Sequence, residues 1–159
     1  MSSRREVRER VMQALYAYEL GGGAPEHIIR VILKPDLDDE DGIQDFAVRL
    51  FLFTIDLAEE ADRIVAQHAE NWDLSRIALI DRLVLRIAIC ELLKFEDIPP
   101  KVSINEAIEV AKRYSTEKSG KFVNGILDAT LVALKSEGRL KKSGRGLVGM
   151  DALLDRAAS

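Results

Sequence analysis

Few side chains in this sequence have types and spacing that could do chemistry, and most of those are cations. Arg4, Arg5 and Arg8, with Arg10, lead the chain, while Lys118 and Lys121 frame the segment Lys118–Phe122, which also holds Gly120 and the aromatic ring of Phe122. Guanidinium and ammonium groups contact phosphate oxygens, aromatic faces stack on unpaired bases, and free backbone N–H groups at a helix start attract anions. Plainer roles exist for the same residues. Arginines at an open helix end are ordinarily solvated, and Phe122 precedes Val123, Ile126 and Leu127, so its ring suits a core stripe as well as a stacking platform. Catalytic chemistry finds no comparable footing, because no nucleophile stands with a recognisable base, no carboxylate pair has supporting neighbours, and no dinucleotide or phosphate-loop motif occurs. Cys90 is the single cysteine and only His27 and His68 accompany it, so neither an intrachain disulfide nor a metal site of the usual zinc type is expected, and no cofactor is implied.

The elements that must position these residues read as helices throughout. A core stripe of Val7, Val11, Ala14, Leu15 and Tyr18 predicts a helix from Arg4 to Leu20, ended by Gly21–Gly23. Met12, Tyr16 and Leu20 fall on a second side of it, open to a second layer of core or to a protein partner. Pro25 starts a short helix that Lys34 and Pro35 end, and the acidic loop that follows lacks the glycine and terminal glutamate of a calcium loop. Phe46, Leu50, Phe53, Leu57, Ala61, Ile64 and His68 predict one long helix from Ile43 to Ala69. Trp72 lies in the polar connection after it. Ile77–Phe95 is apolar on nearly every side, as a central helix should be, and its Asp81, Arg82 and Arg86 require either internal ion pairs or a partner. Ser103 and Glu106 have capping-box spacing, which starts a helix at Ile104. Ser115–Lys121 interrupts it, and a further helix runs from Phe122 to Leu134. Residues 136–159 lose periodicity, contain several glycines and read as a basic, mobile tail in which MDALLDRA could form a last short helix.

Composition bounds the rest. A chain of 159 residues with 47% hydrophobic content and four prolines suits one all-α domain of about six or seven helices, here residues 1–135. The net charge of −4 argues against indiscriminate nucleic-acid binding, but acid is gathered at Asp36–Asp45 and base at the two segments named above, and local patches govern contact. No apolar run is long enough to span a bilayer, and MSSRREVRER has no apolar signal segment, so a cytoplasmic protein is expected.

VSINEAIEVAK followed by KFVNGILD, in that order and spacing, resembles the signature of the NusB family of transcription antitermination factors, and RREVRERVMQALYAYEL and IDRLVLRIAICELLKFEDIPPKV resemble its first and central helices. The likeness covers Arg4 to Leu134. It implies two packed three-helix subdomains and a non-enzymatic function: binding single-stranded boxA-type RNA of nascent ribosomal RNA leaders together with NusE, a protein of the small ribosomal subunit, within an RNA polymerase antitermination complex. It implies RNA contacts at Arg4, Arg5, Arg8, Lys118, Gly120, Lys121 and Phe122, and a partner face at Met12, Tyr16, Leu20 and Asp81 that could also receive a second copy of the chain. Two departures stand out: Glu6 and Glu9 interrupt the arginines, and Lys118 stands where relatives often carry an acidic residue. A NusB-like domain also precedes the catalytic domain of some ribosomal RNA cytosine methyltransferases, so an accessory-domain role is the alternative. Methyl transfer, against RNA capture without turnover, separates the two.

Overall fold

The computed structural model describes residues 3–69 and 74–158, and among these every regular element is helical. The connection holding Trp72 lies outside the described residues. Helix α1 spans Arg4–Gly21, capped by Ser3, whose Oγ accepts from the Glu6 backbone N–H at 3.1 Å, and ended at Gly22 with φ 66°. Helix α2, Pro25–Ile28, runs into a π-helical turn at Ile29–Leu33. The spacing that predicts one helix to Ala69 gives two instead, α3 at Ile43–Asp56 and α4 at Ala58–His68. The break is at Leu57, with φ −103° and ψ 13°. No glycine or proline marks it. Thr54 Oγ1 donates to the Leu50 carbonyl at 2.6 Å just before it, a back-bond that bends helices, and Leu57 stays buried so the apolar spacing continues through the bend.

Helix α5, Leu79–Lys94, is the centre expected of it, with Leu83, Leu85, Ile89, Cys90 and Leu92 almost wholly buried. Helix α6 spans Pro100–Tyr114 and α7 spans Glu117–Ser136. The capping-box expectation at Ser103 is corrected, because α6 begins one turn earlier. Pro100 occupies its first position, where the missing N–H is not needed and the fixed φ suits the helix, and Ser103 is buried one turn inside.

Helices α1 to α3 and their π-turn pack together, α5 to α7 pack together, and α1 and α3 lie against α5, which gives two packed three-helix subdomains. Helix α4 sits against α5 and α7. An eighth α-helix, α8 at Met150–Ala158, packs on α7 and α6 through buried Met150 and Leu153, and Arg156 meets Asp128 at 2.9 Å. Within the segment read from sequence as a basic tail, MDALLDRA thus forms the short helix allowed for it, and the stretch before it is anchored. Lys142 Nζ donates to the Glu91 and Phe95 carbonyls at 3.0 and 2.6 Å, covering the end of α5. A Cβ on Gly146 would lie 1.9 Å from the Glu96 carbonyl oxygen, so only glycine fits there.

Burial in the centre of α5 pushes the Cys90 thiol up to about 12. Iodoacetamide at pH 8 is expected to leave Cys90 unmodified in the folded protein and to alkylate it fully in urea, read as one mass increment. Modification at equal rates in both would contradict this packing.

Candidate nucleic-acid interface

The three arginines proposed from sequence for phosphate contact meet different fates along α1. Arg4 is exposed, its guanidinium carbon 4.4 Å from the centroid of the Phe46 ring. Arg5 makes a two-bond fork with Glu106, Nε to Oε2 at 2.8 Å and Nη2 to Oε1 at 2.9 Å, and remains largely exposed. Arg8 is buried. Its fork with Glu91, both bonds at 2.8 Å, lies inside the protein, and Ser103 Oγ donates to the same carboxylate at 2.8 Å. Burial works against the charge of Arg8, and the Glu91 carboxylate more than restores it, so the guanidinium titrates above its ordinary value. The expectation that Arg8 offers its charge to phosphate is corrected: helical spacing alone placed it beside Arg5, but the side chain turns to a glutamate that α5 buries.

The segment Lys118–Phe122 is also placed differently from expectation, as the first turns of α7 rather than a turn before it. Thr116 caps the helix by accepting from the Ser119 N–H at 3.1 Å. Lys118, Ser119 and Phe122 then line one side of an open cleft of about 330 Å3, faced by Arg76, Ile77, Ala78 and Asp81. Phe122 is half-buried against the core, which leaves part of its ring to the cleft. Lys121 is exposed beside the cleft without lining it. Gly120 is buried, and a Cβ there would meet Lys112 Cγ at 2.6 Å, so its part is to bring α7 close to α6. Among the described residues neither Arg76 nor Lys118 forms an ion pair, so both charges stay available to a ligand. Arg76 is the cleft residue that sequence reasoning missed, because the short 3-10 turn Leu74–Arg76 has no periodicity to reveal it.

The partner-face candidates also divide. Tyr16 and Leu20 are exposed, Leu20 by 64%, whereas Met12 is buried in the core. Asp81 is buried and lies with Lys118 and Phe122 in the cleft, which Tyr16 does not line. Burial raises the Asp81 carboxyl above its usual range, opposed by hydrogen bonds from Ser119 and Ser115. Its neighbours took the internal solution: Arg86 forks onto Asp62 at 2.9 and 2.8 Å and reaches Glu19 at 3.3 Å, and Arg82 meets Asp62 at 3.6 Å. Among the described residues no group of histidine, cysteine, aspartate or glutamate side chains could hold a metal ion, and no helix is long and apolar enough to cross a membrane.

The family model of the NusB family matches residues 5–131. The chain belongs to the NusB family. It is 54% identical over 159 residues to the transcription antitermination protein NusB of Salinibacter ruber, covering 100% of this chain and 99% of the relative. It is 50% identical over 157 residues to NusB of Chloroherpeton thalassium, covering 99% of this chain and 74% of that one. Among solved structures, NusB of T. maritima superposes with a TM-score of 0.74 at 41% identity, over 81% of this chain and 90% of the other. A crystal structure of antitermination factors NusB and NusE in complex with dsRNA superposes with a TM-score of 0.70 at 27% identity, over 80% of this chain and 94% of the other. The similarity to the Salinibacter and Chloroherpeton proteins extends through α8, beyond the end of the family match.

Arg8→Ala would leave the Glu91 carboxylate buried without its partner. It is expected to cost about 3 to 5 kcal/mol of stability in urea unfolding, as removal of one member of a buried pair does. Arg5→Ala is expected to shift the same curve little, since that pair is exposed. Equal midpoints for the two variants would contradict the buried assignment.

Proposed function

We propose that this protein is an RNA-binding factor that works without catalytic turnover in transcription antitermination, the function in its relatives' names. The observation that carries this is the cleft in which the half-buried ring of Phe122 stands with two cations, Arg76 and Lys118, that form no ion pair among the described residues, in a chain of the NusB family. A ring that lines an open cleft suits a splayed base, and flanking cations suit the phosphates on either side of it. Single-stranded boxA-type RNA is the ligand proposed, with Arg4 and Arg5 adding phosphate contacts at the start of α1 and Lys121 beside the cleft. Helix α6 links the two regions. Arg5 pairs with Glu106 partway along it, and the cleft lies just past its end at Tyr114.

The exposed side of α1 at Tyr16 and Leu20 is the surface proposed for NusE, and in its absence for a second copy of the chain. The whole assembly would act on RNA polymerase in the cytoplasm. Acidic Glu9 is not free to repel RNA across this region, because it receives Arg113 at 2.8 Å and the Tyr114 hydroxyl at 3.1 Å. Glu106 is likewise held by Arg5.

Phe122→Ala, once shown to keep wild-type helical content, is expected to lose about 1 to 3 kcal/mol of affinity for a boxA-type single strand in fluorescence titration, the usual worth of one stacked base. Unchanged affinity would make Phe122 a core residue only. Replacing Arg4 and Arg5 together by alanine is expected to flatten the dependence of log affinity on log salt by roughly one to two phosphate contacts. Calorimetric titration of Tyr16→Ala with NusE checks the partner face, where wild-type affinity would remove it.

A further inference from the structure

The chain continues past residue 131, where the family match ends, and the stretch between α7 and α8 is clamped onto the rest of the protein. Lys142 donates to the Glu91 and Phe95 carbonyls, and the Ser143 N–H donates to the Glu96 carbonyl at 3.1 Å. Gly146 packs on that same carbonyl too closely for a Cβ. These contacts on the end of α5 and the turn after it fix where Arg145 stands. Arg145 is exposed, and with Arg4 it lines an open groove of about 600 Å3 that Pro99, Val102 and Val148 also line. Arg4 is steadied there by the Phe46 ring, and among the described residues neither arginine forms an ion pair.

The charge balance of the groove favours an anion. Arg8 also lines it but is held by Glu91. Of its two carboxylates, Asp97 is met inside the protein: burial lowers the Lys142 ammonium to about 8, and Glu91, Asp97 and Glu96 oppose that loss of charge. Asp41 forms no ion pair among the described residues, which leaves two unmet cations against one acid. The start of α6 beside them has no side-chain cap and no acid in its first turn, and adds partial positive charge. Cations beside exposed apolar side chains, here Val102 and Val148, suit single-stranded RNA, whose phosphates take the guanidinium groups while sugars and base faces cover apolar surface. A strand crossing Arg4 at the start of α1 reaches this groove without a break. We infer that residues 139–149 lengthen the RNA-binding surface, the strand that meets Arg4 and Arg5 continuing through this groove so that Arg145 takes a phosphate and Val102 and Val148 cover the sugar and base. This rests on the RNA function proposed above and extends it to a part of the chain that the family match does not reach.

The test is fluorescence titration of the full chain with a boxA-type single strand, and with the same strand lengthened at either end, across a range of salt. Arg145→Ala and Lys141→Ala remove the same charge from the same segment, but Lys141, also exposed, does not line the groove. Arg145→Ala is expected to flatten the slope of log affinity against log salt by about 0.7, as loss of one phosphate contact on a single strand does. It is expected to weaken binding about two- to fivefold at low salt, the range of one exposed ion pair, and to reduce the gain that wild type shows on lengthening the strand. Lys141→Ala is expected to change the slope by less than half as much, and Asp41→Asn to strengthen binding. An unchanged slope in Arg145→Ala overturns the inference. So do equal losses in the Arg145 and Lys141 variants, which would reflect net charge alone, or weaker binding by Asp41→Asn. An Arg145→Ala protein with wild-type RNA binding and lowered affinity for NusE makes the groove a protein contact and overturns it too. If Phe122→Ala weakens the strand while Arg145→Ala is silent, only the role of residues 139–149 falls. If wild type binds no boxA-type strand, the RNA function falls and this inference with it.

Discussion

A charge withdrawn from water has to be met by an opposite charge in good geometry, and the Arg8–Glu91 pair is where this protein accepts that constraint. Both side chains are almost fully buried, and both guanidinium bonds to the carboxylate are 2.8 Å. Ser103 of α6 donates to the same carboxylate, and Lys142 donates to the backbone carbonyl of Glu91. Three segments distant in sequence thus converge on one residue of α5. Hydrophobic burial would tolerate small slips of α1 along α5, but a forked pair does not, because a shift of one residue would strand both charges. The register this imposes decides which arginines of α1 point outward.

From that fixed junction the surface chemistry follows by packing. Arg4 is held over the Phe46 ring, which itself stacks edge-on against Phe95 at 5.6 Å between centroids. Glu9 and Glu106, which would oppose a polyanion, are each covered by an arginine of the other helix, Arg113 and Arg5. Along the seam of α1 and α6, acid and base are therefore matched internally, and net attraction is left to the ends, at Arg4 and at the cleft beside α7. A chain with formal charge −4 can in this way present basic contact points without a basic surface.

The helices of the core were legible in the sequence because amphipathic spacing survives whatever the helix packs against, and α1, α5 and α7 needed only that. Ends and bends were less legible. Leu57 breaks a helix while keeping its apolar spacing, and Ser103 has the spacing of a cap but serves as a buried donor because Pro100 had already begun the helix. Site residues depended on contacts that no local pattern carries. Arg5 and Arg8 are three apart on one helix and read alike, yet one pairs at the surface and the other in the interior. Phe122 was open between core packing and base stacking, and it lies half-buried on the core with part of its ring lining the cleft. Arg76 was invisible, lying in a single turn of 3-10 helix, and Gly146 shows its purpose only through its contact with the distant Glu96 carbonyl.

The cleft is made by residues from both sides of α6, Arg76 and Asp81 before it and Lys118 to Phe122 after it. It does not exist in any partial chain that lacks α7. During synthesis the arginines of α1 leave the ribosome long before the segment that completes the cleft, and until α7 has folded back the emerging polypeptide has those cations but not the cleft. The cleft arrives only with release of nearly the whole product, so messages truncated before α7 would yield fragments that retain the charge of α1 and lack the cleft.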